Sequence, residues 1–236
     1  LAQAVADVQR LDQRVAEDAV HSIVPAASPR VTIVGGNSIR VQTEQLTQEE
    51  NAVVRDARDM PAAAVIGAEA GRRAAARLGG VKLETRTAPV LFPARVARGL
   101  IGSLLGAISG GALYRKASFL VDALDTQVFA SLVTIDERPH LPRALASAPF
   151  DEEGVATADR CLVEAGVLRG YLLGSYYARK LGMASTGNAG GAHNLVVQST
   201  GESFAELLAK MDRGLVIADL MGSGINPVTG DYSRGA

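Results

Sequence analysis

The sequence predicts an α+β protein: an N-terminal helix-and-hairpin region followed by a C-terminal domain built on a large mixed or antiparallel β-sheet with packed helices. Three observations point there. Apolar residues recur at helical spacing in the first half of the chain, short β-branched runs bounded by turn residues dominate after residue 128, and 236 residues with 47% hydrophobic and 21% charged side chains are enough to bury a core. The same figures exclude disorder and collagen-like repeats.

In chain order, Val5, Val8, Leu11, Val15 and Ala19 recur at helical spacing with polar residues between, the pattern of an amphipathic helix. Residues 31–34 and 39–43 are β-branched or alternating and flank Gly35-Gly36-Asn37, which is hairpin-turn chemistry. The Ala-rich run 62–78 carries Arg72, Arg73 and Arg77 late and stops at Gly79-Gly80, so it reads as a helix with cations at its negative end. Residues 81–85 continue as a strand toward Pro89-Val90-Leu91-Phe92. Val96, Leu100, Ile101, Leu104, Leu105 and Ile108 then form a broad apolar face on a helix expected to be largely buried.

Downstream, strands are predicted at 128–135, 161–163, 167–173, 193–198 and 215–221, with Glu164-Ala165-Gly166 as a hairpin turn. Ser203 and Glu206 have capping-box spacing before Leu207-Leu208 and start a further helix. Residues 1–60 read as part of an N-terminal α/β region and 61–236 as a C-terminal α+β domain.

Charge and rare residues narrow the chemistry. With 24 basic against 25 acidic residues, the formal net charge of −1 leaves no electrostatic footprint for nucleic acid or a membrane surface. The lone Cys161 and the scattered His21, His140 and His193 lack metal-ligand spacing, and Cys161 reads as a small buried hydrophobe. The apolar stretch 99–112 is too short for a membrane span and is broken by five glycines. No signal peptide pattern is visible, so a cytoplasmic location is the expectation.

Three stretches are candidates for binding. Residues 182–194 are dense in glycine and small polar residues, so a ligand can approach the backbone closely; the run matches neither the P-loop nor the dinucleotide-binding pattern and also reads as a tight structural loop. Asp151-Glu152-Glu153 reads as an exposed acidic turn. Residues 222–235 form a long turn-rich loop in which Asp231 and Ser233, with His193, supply the residue types of a Ser-His-Asp triad, without the G-x-S-x-G elbow that would present the serine.

The blocks Ile108-Ser109-Gly110-Gly111-Ala112-Leu113-Tyr114-Arg115-Lys116, residues 145–151, Ser175-Tyr176-Tyr177-Ala178-Arg179-Lys180-Leu181-Gly182, residues 185–194 and residues 229–236 together resemble the PmbA/TldD family, over about residues 55 to 236. Within it the chain is similar to the PmbA (TldE) branch, whose older label is modulator of DNA gyrase. The resemblance implies a TldD/TldE-type heterodimeric metallopeptidase, with proteolysis of unfolded or extended peptides, including peptide toxin precursors and antitoxins. In that family the TldD branch carries a zinc motif, H-E-x-x-x-H, on a helix. Here its positions fall on Gly102, Ser103 and Ala107, none of which binds zinc or acts as a general base.

The resemblance therefore implies no metal and no catalytic residue in this chain, with zinc in a TldD-like partner. It implies a cavity-forming role in which Ser185, Thr186, Gly187, Gly190, Gly191, His193 and Asn194, with Asp231, Tyr232 and Ser233, line a peptide site. A glycine-rich loop beside a strand suits backbone pairing by strand addition. Two other readings stand beside this one: a non-zinc hydrolase acting as a homodimer, and an interaction protein acting on DNA gyrase. Family members have a longer N-terminal region and continue past Ala236, so the chain is expected to be incomplete at both ends.

Overall fold

The computed structural model describes residues 30–33, 38–42, 47–77, 80–222 and 224–235. The predicted helix over 5–19, the turn at 35–37 and His21 lie outside them. The chain divides into two compact units, Leu1–Thr85 and Arg86–Ala236.

In the first unit β1 (Arg30–Ile33), β2 (Ser38–Gln42) and β3 (Thr47–Asn51) form an antiparallel sheet in that order, with Val31 opposite Val41 and Ile39 opposite Glu50. The β1–β2 pairing follows the sequence expectation. Strand β3 has the sequence TQEEN and no apolar alternation, so its pairing was not legible from side-chain pattern. Helix α1 (Ala63–Ala76) buries Ile66, Gly67, Ala70, Gly71 and Ala74, one face of small residues that allows close approach to β2 and β3. Arg73, nearly buried on that helix, pairs with Glu50 of β3.

The second unit holds β4 (Val90–Leu91), α2 (Ala94–Ala107), α3 (Gly110–Tyr114), β5 (Ile135–Glu137), β6 (Arg160–Glu164), β7 (Val167–Leu168), α4 (Ser175–Leu181), β8 (Leu195–Val197), α5 (Phe204–Met211) and β9 (Leu215–Val216). An antiparallel sheet runs in the order β7-β6-β5-β8, and β4 pairs in parallel with β9. The α+β expectation therefore holds. The core lies where α2, α3 and α4 meet this sheet: Ile108, Ile135, Leu162, Leu168 and Leu173 have no exposed surface. Ser203 and Glu206 make the capping box that the spacing predicts. No described helix is long and apolar enough to cross a membrane.

Several predicted elements change extent. Residues 81–85 form no strand. Helix α2 buries only Val96, Leu104 and Ala107, while Leu100, Ile101 and Leu105 are half-buried, because the sheet covers one stripe of the helix and not its whole apolar face. The strand predicted over 128–135 is reduced to its last residue, since Val128 and Phe129 donate to the Gly166 carbonyl and the Gly166 amide donates to the Val133 carbonyl (2.7 Å). That segment wraps the tip of the β6–β7 hairpin and makes no ladder. The strands predicted at 167–173, 193–198 and 215–221 shrink to β7, β8 and β9.

The hairpin turn itself is as predicted, with Ala165 and Gly166 both at positive φ (46° and 83°), the primed turn that matches strand twist. A Cβ at Gly166 would lie 2.3 Å from the Phe129 carbonyl oxygen and 2.7 Å from that of Ala130. Gly166→Ala is expected to destabilise the protein by about 2–4 kcal/mol, the sum of a left-handed penalty and overpacking against rigid backbone. Urea unfolding followed by circular dichroism checks this.

Candidate functional site

The site is built around a carboxylate at the end of a strand. Period-2 alternation puts Glu137 on the same face of β5 as Ile135, and the register places it opposite Arg160 at the start of β6. Its side chain is only 1% exposed. Arg160 Nε donates to Glu137 Oε2 (2.7 Å), and the rest of the guanidinium donates to the Tyr171 carbonyl (2.9 Å) and to Asn188 Oδ1 (2.7 Å). On its other oxygen, Oε1, Glu137 accepts from Asn188 Nδ2 (2.7 Å) and from the His193 amide (2.8 Å), with His193 Nδ1 at 3.1 Å. Burial pushes the Glu137 carboxyl upward, but the His193 amide, the Arg160 charge and Asn188 outweigh it and hold the group below the ordinary glutamate value.

The same loop is tied at two further points. The Thr186 hydroxyl accepts from the Leu173 amide (2.8 Å) and donates to Asn188 Oδ1 (2.7 Å), while Ser185 Oγ donates to the Leu173 carbonyl. Asp151 accepts from the Glu153 and Val155 amides and from the Ala189 amide, each at 2.9 Å. The acidic stretch is therefore not a simple exposed turn. Asp151 is buried, and although burial raises its carboxyl, those amides hold it below the usual aspartate value. Glu153 accepts from the Ser175 amide (2.7 Å) at the positive end of α4.

Above this framework lies a cleft of about 640 Å³. Its walls are the end of α2 (Leu105 and Gly106), residues 109–111, Glu152 and Glu153, the adjacent Tyr176 and Tyr177, and loop residues 188–192. The two tyrosine rings stand edge to face with centroids 5.0 Å apart.

The sequence candidates are distributed as follows. Gly190 and Gly191 line the cleft, whereas Ser185 and Thr186 fasten the loop to Leu173, and Gly187 lies against the Ala156 main chain. His193 stands on Glu137. Asn194 accepts from the Ala146 amide and donates to the Arg138 carbonyl and to Ser147 Oγ, joining two segments of backbone. Asp231, Tyr232 and Ser233 sit in a separate hairpin-like loop: Thr229 Oγ1 donates to Asp231 (2.6 Å), Tyr232 bridges to Ile225, and the Ser233 amide donates to Gly224. That loop rests on Phe119, and none of the three lines the cleft. The carboxylate that orients His193 is Glu137, not Asp231.

Of the zinc-motif positions, Gly102 is exposed on α2, Ser103 back-bonds to the Gly99 carbonyl, and Ala107 is 2% exposed inside the core. A histidine at Ala107 has no room without displacing that core. Among the described residues no three His, Cys, Asp or Glu side chains are grouped to hold a metal ion. The Cys161 thiol is pushed up by burial and lies near the Val163 carbonyl, the setting of an inert thiol.

The domain that carries this cleft is also matched in known proteins. Residues 85–236 match the model of the PmbA/TldA metallopeptidase C-terminal domain. The chain is 52% identical over 171 residues to Metalloprotease PmbA of Escherichia coli O157:H7, covering 72% of this chain and 38% of that protein. It is 53% identical over 173 residues to the Metalloprotease PmbA homolog of Haemophilus influenzae, again 72% of this chain and 38% of the relative. Among solved structures, a candidate modulator of DNA gyrase from Thermotoga maritima superposes with a TM-score of 0.74 at 31% identity, covering 84% of this chain and 47% of that one. The chain belongs to the PmbA/TldD family. It spans about two fifths of the length of the curated relatives it matches.

Two measurements follow from the buried carboxylates. Arg160→Ala leaves Glu137 buried without its cation and is expected to cost about 3–5 kcal/mol in urea unfolding. Because Glu137 and Asp151 are held below their unfolded values, the unfolded chain takes up protons first as pH falls. The stability they contribute is complete above the ordinary carboxylate range, and it drains away as pH drops through the folded values. The unfolding midpoint is expected to hold from about pH 7 to about pH 5 and to fall below about pH 4.

Proposed function

We propose that this chain is the PmbA/TldE-type subunit of a TldD/TldE metalloprotease acting on unfolded or extended peptides, that it works in the cytoplasm, and that its cleft forms part of the peptide-binding cavity. The observation that carries the reading is the state of α2. The helix that would hold zinc by resemblance has Gly102, Ser103 and Ala107 at the motif positions, yet its last turn contributes Leu105 and Gly106 to the cleft wall. A helix with the metal ligands replaced but the cleft kept fits a subunit that shapes a substrate site and leaves the metal chemistry to a TldD-like partner.

At the zinc-motif positions Gly102, Ser103 and Ala107 offer zinc no ligand, and among the described residues no group of three ligating side chains stands in their place. What the residues of this chain supply is binding. The loop over 188–192 presents main chain with little side chain to obstruct it, the Tyr176 and Tyr177 faces accept apolar or amide groups of varied sequence, and Glu152 and Glu153 add negative charge at the rim. Such a surface recognises an extended backbone more than a particular side chain. The homodimeric hydrolase reading gains no support from hydrogen bonding, since the His193 ring meets Glu137 and Asp231 meets Thr229.

The full-length chain, expressed alone and together with a TldD-like partner, tests this. Zinc and peptide cleavage are expected in the complex, with cleavage abolished by a chelator; stoichiometric zinc in this chain alone would overturn the reading. Within the complex, Gly190→Val drives a side chain toward Glu152, whose Cδ is 2.5 Å from a Cβ at that position. KM for an unstructured peptide is expected to rise about tenfold, about 1.4 kcal/mol, with zinc content unchanged.

A further inference from the structure

The segment between Asn188 and His193 has an unusual support. Both of its ends rest on a single atom, Glu137 Oε1, which accepts from Asn188 Nδ2 at 2.7 Å and from the His193 amide at 2.8 Å, with the His193 ring at 3.1 Å. The residues in between, Ala189 to Ala192, form an arch that lines the cleft. Within the arch Gly191 turns its main-chain groups inward: its amide donates to the Asn188 carbonyl (3.1 Å), and its carbonyl accepts from Asn188 Nδ2 (3.0 Å).

Gly190 and Ala192 take no part in these bonds. Among the described residues their N–H and C=O groups have no hydrogen-bond partner, although the flanking Ala189 and His193 amides are both taken. Main-chain groups left free beside a cleft are what a peptide backbone pairs with, and an extended peptide offers its own N–H and C=O groups to one side at every second residue.

We propose that Glu137 is a positioning residue for peptide binding: by holding both feet of the arch on one carboxylate oxygen, it aims the main-chain groups of Gly190 and Ala192 at the backbone of an extended peptide in the cleft. This rests on the reading of the cleft as part of a peptide cavity. Glu137 itself does not line the cleft and acts through Asn188 and His193. A glutamine cannot take its place. Glu137 faces Arg160 Nε with one oxygen and the loop donors with the other, so a carboxamide of the same size must aim its NH2 group at a donor in either orientation. Asn188→Ala removes one foot while leaving the Glu137–Arg160 pair intact.

The test uses the full-length chain in its complex with a TldD-like partner and a fluorescently labelled Thr/Val-rich peptide, N-methylated at one residue at a time. With the wild-type complex, N-methylation is expected to weaken binding about fivefold at alternate residues and little between them. In Glu137→Gln, and in Asn188→Ala should the first variant fail to fold, the peptide still binds but the alternation disappears. A merely structural role for Glu137 would lower the melting temperature and leave that pattern in the folded fraction unchanged, which overturns the proposal. A wild-type complex that binds the peptide with no alternation also overturns it while leaving the peptide-cavity reading in place. A complex that neither binds nor cleaves peptide overturns both.

Discussion

The second unit depends on keeping one buried carboxylate ionised. Glu137 can stay charged in the interior only because both of its oxygens meet donors, and those donors come from places distant in sequence: Arg160 on the next strand, Asn188 and His193 on the glycine loop. The requirement works in both directions. The charge needs the loop to be where it is, and the loop, nearly devoid of side chains that bury apolar area, is held by the charge together with its ties to Leu173 and Asp151. Asp151 repeats the arrangement on a smaller scale, fixing its own turn and the Ala189 amide together.

What the chain declares locally was legible in advance. The capping box of α5, the Ala165-Gly166 turn, the Ala-rich helix α1 and the β1–β2 hairpin each rest on neighbours within a few positions. What failed to show was set by remote partners. Residues 128–134 have strand composition, but the Val128 and Phe129 amides go to the carbonyl of a hairpin tip; His193 has a strand-like neighbourhood, but its amide goes to a glutamate side chain. Pattern reading counts side chains and does not see where a backbone hydrogen bond ends.

The site divides along the same line. Glycine density was enough to single out Gly190 and Gly191. Alternation from Ile135 was a usable sign that Glu137 faces inward, though nothing in the spacing reveals its pairing with Arg160. The positions of Asp231, Tyr232 and Ser233, in a loop that meets Phe119 through Pro227 and Gly230, follow from packing of the last loop and left no trace in composition. Helix α2 shows how one element serves two ends: Leu104 and Ala107 close the core, and Leu105 and Gly106 face the cleft.

The hairpin tip at Gly166 bears on how this protein can be handled. Exposed hairpin tips are ordinarily the safest places to insert a tag, join new termini or graft a loop. This tip is different, because its amide and carbonyl are the hub around which residues 128–133 are wound. An insertion between Ala165 and Gly166 would unwind a segment more than thirty positions earlier in the chain. The exposed bend at Gly201, where an added Cβ would meet nothing within 4 Å, is a place in the same unit where extra chain can be spliced without disturbing the core.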